Sequence, residues 1–182
     1  AAALSQIDAG SNGISLFNFP CWIEHIAAVP YQWLDDLGTL DTMGKKPLLF
    51  WVSHKRTRKE GIDLSGQLPC SLSSGEGINL TLSLPKEAFP IQRGLLHVQA
   101  GGDICVIMNG ETNCKDMHLS RPEIFPLHYS SSPKQYCDRP QPEECRTLQV
   151  QSNHLQQGWN TLRIENSSNQ PLEINRVQLV VW

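Results

Sequence analysis

Few residues in this chain of 182 are arranged to do chemistry, and those best suited to hold a ligand are aromatic. Trp159, Tyr129 and Tyr136 fall in or beside loops with polar neighbours, the setting in which a ring can stack on a bound molecule. The alternative for Trp159 is that its ring covers the open end of a core, because tryptophan is on average highly buried. The histidines at 25, 54, 97, 118, 128 and 154 share no ligand spacing, and no Cys-x-x-Cys pair occurs. No metal or cofactor is implied. Six cysteines are too few for a dense disulfide framework in a chain of this length. Cys105 lies within the apolar run Ile104, Val106, Ile107 and reads as a buried free thiol. Cys137 and Cys145 bracket the loop DRPQPEE and could close it in an oxidising setting, secreted or periplasmic. The sequence does not fix the compartment.

Charge narrows the partner classes. A formal net charge of -3 gives no overall attraction to nucleic acid or to an anionic membrane. The basic run His54, Lys55, Arg56, Arg58 and Lys59 could be a nucleic-acid patch, but in an acidic protein it reads as a solvated strand end or loop. No apolar run approaches the roughly 20 residues that span a bilayer. The chain opens on AAALSQIDAG, which reads as the middle or end of a helix without the layout of a signal peptide, as though the start were truncated. Asn79-Leu-Thr81 and Asn166-Ser-Ser168 match the N-glycosylation pattern, with Asn79 expected to face solvent.

Two kinds of element must position these residues. Residues 1–44 have α/β grammar, a helix followed by the short apolar run Ile14, Leu16, Phe17, Phe19 as a buried parallel strand. A second helix follows from Pro30, with Trp33, Leu34 and Leu37 at helical spacing and Gly38 as its stop. From Lys45 the pattern becomes short strands between turns. In Ile78–Leu84 the apolar residues Ile78, Leu80, Leu82 and Leu84 alternate with Asn79, Thr81 and Ser83. Leu95–Gln99 and Asp103–Met108, separated by Ala100, Gly101 and Gly102, predict an antiparallel hairpin. The second of these is apolar on both faces and is expected at the centre of its sheet.

After Asn109 and Gly110, a pair that tolerates the left-handed backbone of a tight turn, residues 111–144 are long and irregular. Strands resume at Thr147–Gln151, Thr161–Asn166 and Leu172–Val181. In the last, apolar positions change parity between Ile174 and Val177, and a bulge of one residue near Asn175 and Arg176 would return them all to one face. The pattern predicts a mostly β fold, an antiparallel sandwich or jelly roll over 45–182, preceded by a short α/β segment over 1–44. The abrupt join at Gly44–Pro47 predicts that the two parts pack together.

The segments GISLFNFP and YQWLDDLGTLDTMGKK resemble the last strand and helix of the (β/α)8 barrel in large bacterial glycoside-hydrolase-like proteins. ICVIMNGE, LQQGWNTLRIEN and LEINRVQLVVW are similar to the galactose-binding-like sandwiches appended to such barrels. The resemblance implies that the chain is the C-terminal part of such a protein, with 1–44 the end of its barrel and 45–182 an accessory sandwich. Carbohydrate is the partner class it implies, along with intramolecular packing against the rest of the barrel.

In a barrel the chemistry gathers at the C-terminal ends of the strands. That location gives Asn18 a sugar hydroxyl to hydrogen-bond and Trp22 a ring to stack on, with Glu24 and His25 nearby. The structural alternative is that Asn18 caps a turn and Trp22 packs on the sandwich. Glycoside hydrolysis needs two carboxylates about 5–9.5 Å apart. Only Glu24 is placed to supply one, and a complete barrel takes about 250 residues. This chain alone therefore lacks a complete catalytic domain. A second reading is a stand-alone, non-catalytic carbohydrate-binding module, with 1–44 as a helical lead-in.

Overall fold

The computed structural model describes residues 7, 39–44, 47–52, 56–57, 63–64, 67–112, 115–116 and 145–182. Ile7 is helical, and the strand and second helix expected before Gly38 lie outside the described residues. The short helix α1 (Leu40–Met43) has no counterpart in the sequence reading. Thr39 starts it by a reciprocal cap: its hydroxyl accepts from Thr42 N at 3.2 Å, while Thr42 Oγ1 accepts from Thr39 N at 3.0 Å.

The rest is mostly β. In chain order the strands are β1 (Leu48–Trp51), β2 (Arg56–Thr57), β3 (Asp63–Leu64), β4 (Cys70–Leu72), β5 (Gly77–Leu84), β6 (Gly94–Ala100), β7 (Ile104–Met108), β8 (Lys115–Asp116), β9 (Cys145–Val150), β10 (Gly158–Asn166) and β11 (Leu172–Val181). A larger sheet runs β1-β11-β6-β9-β8, with β4 pairing the first part of β11 and β1 its last part. A smaller sheet runs β5-β10-β7, and β2 and β3 pair by themselves. All the pairings are antiparallel.

One core lies between the two sheets. The smaller sheet contributes Leu80, Leu82, Leu84, Val106, Met108, Leu162 and Ile164, and the larger contributes Leu96, Val98, Leu148, Ile174, Val177 and Leu179. This is a two-layer sandwich built on the period-two alternation of its strands. The parity change in β11 is resolved as expected: its register against β6 shifts between Ile174 and Arg176, leaving Asn175 as the extra residue. Leu172, Ile174, Val177, Leu179 and Val181 all join the core.

The expected hairpin is overturned. β6 pairs β11 and β9 in the larger sheet, whereas β7 pairs β10 in the smaller, so Ala100–Gly102 arches from one layer to the other. A glycine-rich turn permits either path, and both strands need the same core. Among the described residues β7 is also an edge strand rather than a central one. Its Cys105 and Ile107 face outward and are only half-buried, so the free thiol of Cys105 is not the core group expected. Ile107 has Arg163 as its cross-strand neighbour, whose stem is long enough to shield it. At the opposite edge Gln67 caps Thr81 of β5: its Oε1 accepts from Thr81 N at 2.7 Å while its Nε2 donates to Thr81 Oγ1 at 2.6 Å.

Candidate functional site

β10 is the strand that places the candidate. Its inward residues are apolar in the middle, Leu162 and Ile164, and asparagine at both ends, Asn160 and Asn166. Each asparagine is almost wholly buried and makes four hydrogen bonds, which is how a polar group is tolerated there. Asn160 Oδ1 accepts from Asn109 Nδ2 and Gln156 N, both at 2.9 Å, and its Nδ2 donates to the carbonyls of Gln156 at 2.8 Å and Gly158 at 3.0 Å. Asn109 closes the circuit by accepting from Thr161 N at 2.8 Å through Oδ1. The turn Leu155–Asn160 is thereby fastened to the end of β7. Its leucine is buried, Gly158 takes a φ of 84°, and Asn109 and Gly110 take left-handed values of 51° and 89° as their types predict.

What this turn presents is Trp159. The residue lies within β10 rather than in a loop, opposite Ser83 of β5, and its side chain points away from the core. Its ring is 69% exposed, so it is not a cover over the open end of the sandwich. Its carbonyl accepts from Gln156 Nε2 at 2.8 Å, so the backbone that carries the ring is held. Thr161, Arg163 and Glu165 continue the outward row, and Arg163 Nε donates to Glu165 Oε1 at 2.7 Å. The sequence reading missed this row, although the alternation Trp159, Thr161, Arg163, Glu165 was available to find it.

At the other end of β10, Asn166 Nδ2 donates to the carbonyls of Leu72 at 3.1 Å and Gln170 at 2.8 Å, while Oδ1 accepts from Ser168 N at 2.9 Å and Ser168 Oγ at 2.7 Å. A glycan on that nitrogen is incompatible with this geometry. Asn79, in the other matching triplet, is exposed on the outward face as expected.

The two outer faces of the sandwich differ. On the larger sheet, Leu95 and Val180 are 3% and 0% exposed and form a second apolar cluster with Leu49 and Trp182. Arg93 stacks on the Trp182 ring at 4.2 Å. Beside them run Gln178, His97 and Thr147, adjacent in register and all buried, with His97 Nδ1 3.2 Å from Thr147 Oγ1. Gln178 Nε2 is buried without a hydrogen-bond partner. From Val177 to Val181 β11 is thus buried on both sides, whereas the smaller sheet leaves Asn79, Trp159 and Thr161 exposed on its outer face.

Asn18, Trp22, Glu24, His25, Tyr129, Tyr136 and the loop between Cys137 and Cys145 lie outside the described residues. Among the described residues no helix is long and apolar enough to cross a membrane, and no group of three or more His, Cys, Asp or Glu side chains could hold a metal.

No family model matches the sequence, and no curated protein matches it. Among solved structures the chain is similar to a β-porphyranase of glycoside hydrolase family 86 from the human gut bacterium Bacteroides plebeius, at 12% identity and a TM-score of 0.42 over 74% of this chain and 20% of that one. It is also similar to BuGH86 in complex with neoagarooctaose, at 11% identity and a TM-score of 0.45 over 74% of this chain and 18% of that one. A variant of BuGH86 in the same complex gives 10% identity and a TM-score of 0.47, with the same coverage. The chain spans about a fifth of the length of these structures.

Proposed function

We propose that residues 45–182 are the accessory sandwich of a glycoside-hydrolase-like protein, of the galactose-binding-like jelly-roll type, and that residues 1–44 are the end of its barrel. The sandwich rests on the barrel side through the outer face of its larger sheet and turns its smaller sheet toward carbohydrate. Asn18 and Trp22 serve the barrel's sugar site, and Trp159 serves the sandwich. The short motifs that resemble such proteins give the family reading.

The observation that carries the arrangement is the unequal burial of the two outer faces. An isolated antiparallel sandwich has solvated outer faces, whereas here Val180, Leu95 and Gln178 are covered while Trp159 stands open. That inequality favours an appended domain over a stand-alone binding module. Of the carboxylate pair that glycoside hydrolysis needs, this reading places only Glu24 in the chain, and hydrolysis by it alone is not expected.

A matched pair of charge substitutions tests the arrangement. Val180→Asp buries a carboxylate and is expected to cost about 3 kcal/mol or more, read from urea unfolding. Thr161→Asp, on the open face, is expected to stay within about 0.5 kcal/mol of the parent. Equal tolerance of the two would contradict the reading.

A further inference from the structure

On the open face of the smaller sheet, the two charged side chains that β10 turns outward, Arg163 and Glu165, answer each other. Trp159, Thr161 and Arg163 succeed one another along β10, with Ser83, Thr81 and Asn79 as their partners on β5. At roughly 3.4 Å per residue the row from Trp159 to Arg163 is about 14 Å long, room for several sugar rings in line. Beyond it, the ion pair of Arg163 and Glu165 lies over Gly77. A Cβ at Gly77 would stand 3.0 Å from Glu165 Cγ and 3.1 Å from a terminal guanidinium nitrogen of Arg163. The absence of a side chain there lets the pair lie down on the sheet. Its guanidinium charge is answered at 2.7 Å by Glu165, so Arg163 adds polarity to the face without adding net charge.

We infer that this face is a platform for an uncharged, linear polysaccharide lying along β10. The inference rests on the carbohydrate reading above and specifies the ligand class. The Trp159 ring stacks on the apolar face of one sugar, and the hydroxyls of Thr161 and Ser83 with the amide of Asn79 meet sugar hydroxyls along the chain, whereas the Thr81 hydroxyl is already engaged by Gln67. Both sides of that exchange are neutral donors and acceptors. A polyanion would need a cation whose charge is still unanswered, and Arg163, the cation of this row, is already paired. The held backbone at Trp159 limits the ordering cost of binding.

Affinity electrophoresis of the full chain tests this, in gels containing agarose, galactomannan or hydroxyethylcellulose and, beside them, polygalacturonate or a sulfated galactan. Retardation is expected in at least one uncharged gel, weakened roughly tenfold or more by Trp159→Ala, which removes the aromatic contact of the row. Thr161→Lys, corrected for its mobility in a polysaccharide-free gel, is expected to weaken it as well. Unfolding midpoints of both variants separate lost binding from lost fold. Retardation unaltered in two folded variants, or confined to the polyanion gels, or seen in no gel, would overturn the inference. If the unequal cost of Val180→Asp and Thr161→Asp persists in that case, the appended-domain reading stands without it.

Discussion

Asn160 shows how a single buried amide can set the geometry of an exposed ring. Its four hydrogen bonds hold the turn from Gln156 to Gly158 against the end of β7, and Trp159 is the next residue outward. Replacing it by alanine strands several buried donors and acceptors at once, and Asn160→Ala is expected to cost on the order of 3 kcal/mol in urea unfolding. A cost under about 1 kcal/mol would show that the turn holds itself. Glu76 makes a smaller, pH-dependent contribution. Its carboxylate accepts from Ser73 N at 2.8 Å, and the Ser73 backbone and side-chain hydrogen bonds lower its pKa below the ordinary value. A lowered folded pKa means the contribution is present above the unfolded value and is lost as pH falls through the folded one. The stability difference between the parent and Glu76→Gln should therefore shrink on acidification through that range, and a constant difference would contradict it. At this scale the sequence was partly legible. Asn109, Gly110 and Gly158 announce their left-handed turns by type, whereas the exposure of Trp159 depends on which face β10 turns outward, and that is set by its partners.

Strands were the most legible elements, because alternation is a local property. β5 and β11 were readable almost to the residue, and the parity change in β11 located its bulge. That bulge supports a sharp expectation. Deleting Asn175 throws either Leu172 and Ile174 or the Val177–Val181 stretch onto the wrong face, and should abolish cooperative unfolding, whereas Asn175→Ala should cost under about 1 kcal/mol. A deletion variant that unfolds cooperatively near the parent midpoint would contradict the assignment. The path of Ala100–Gly102 was not legible for the opposite reason. A flexible turn fixes that the chain bends, while the choice between hairpin and arch is made by distant pairings, β6 with β11 and β7 with β10. The mistaken central place for β7 has the same source: burial on both faces belongs to β6 and to β11 from Val177 onward, which have neighbours on both edges.

At the scale of the molecule, the described residues form a sandwich with one closed side and one open side. Its closed side was foreshadowed by the continuous run Val177 to Val181, which is too apolar for a strand with a wet face, interrupted only by Gln178. What covers that side was not legible, because the two halves of the chain carry different local patterns and neither encodes its docking partner. The proposal assigns the role to residues 1–44. Removing them tests it most directly: a chain of residues 45–182 is expected to bind a hydrophobic dye, self-associate, and unfold at lower urea than the full chain, because Leu95, Val180 and Trp182 would then face solvent. A monomeric 45–182 that binds no dye and unfolds at the same urea concentration as the full chain would contradict the account.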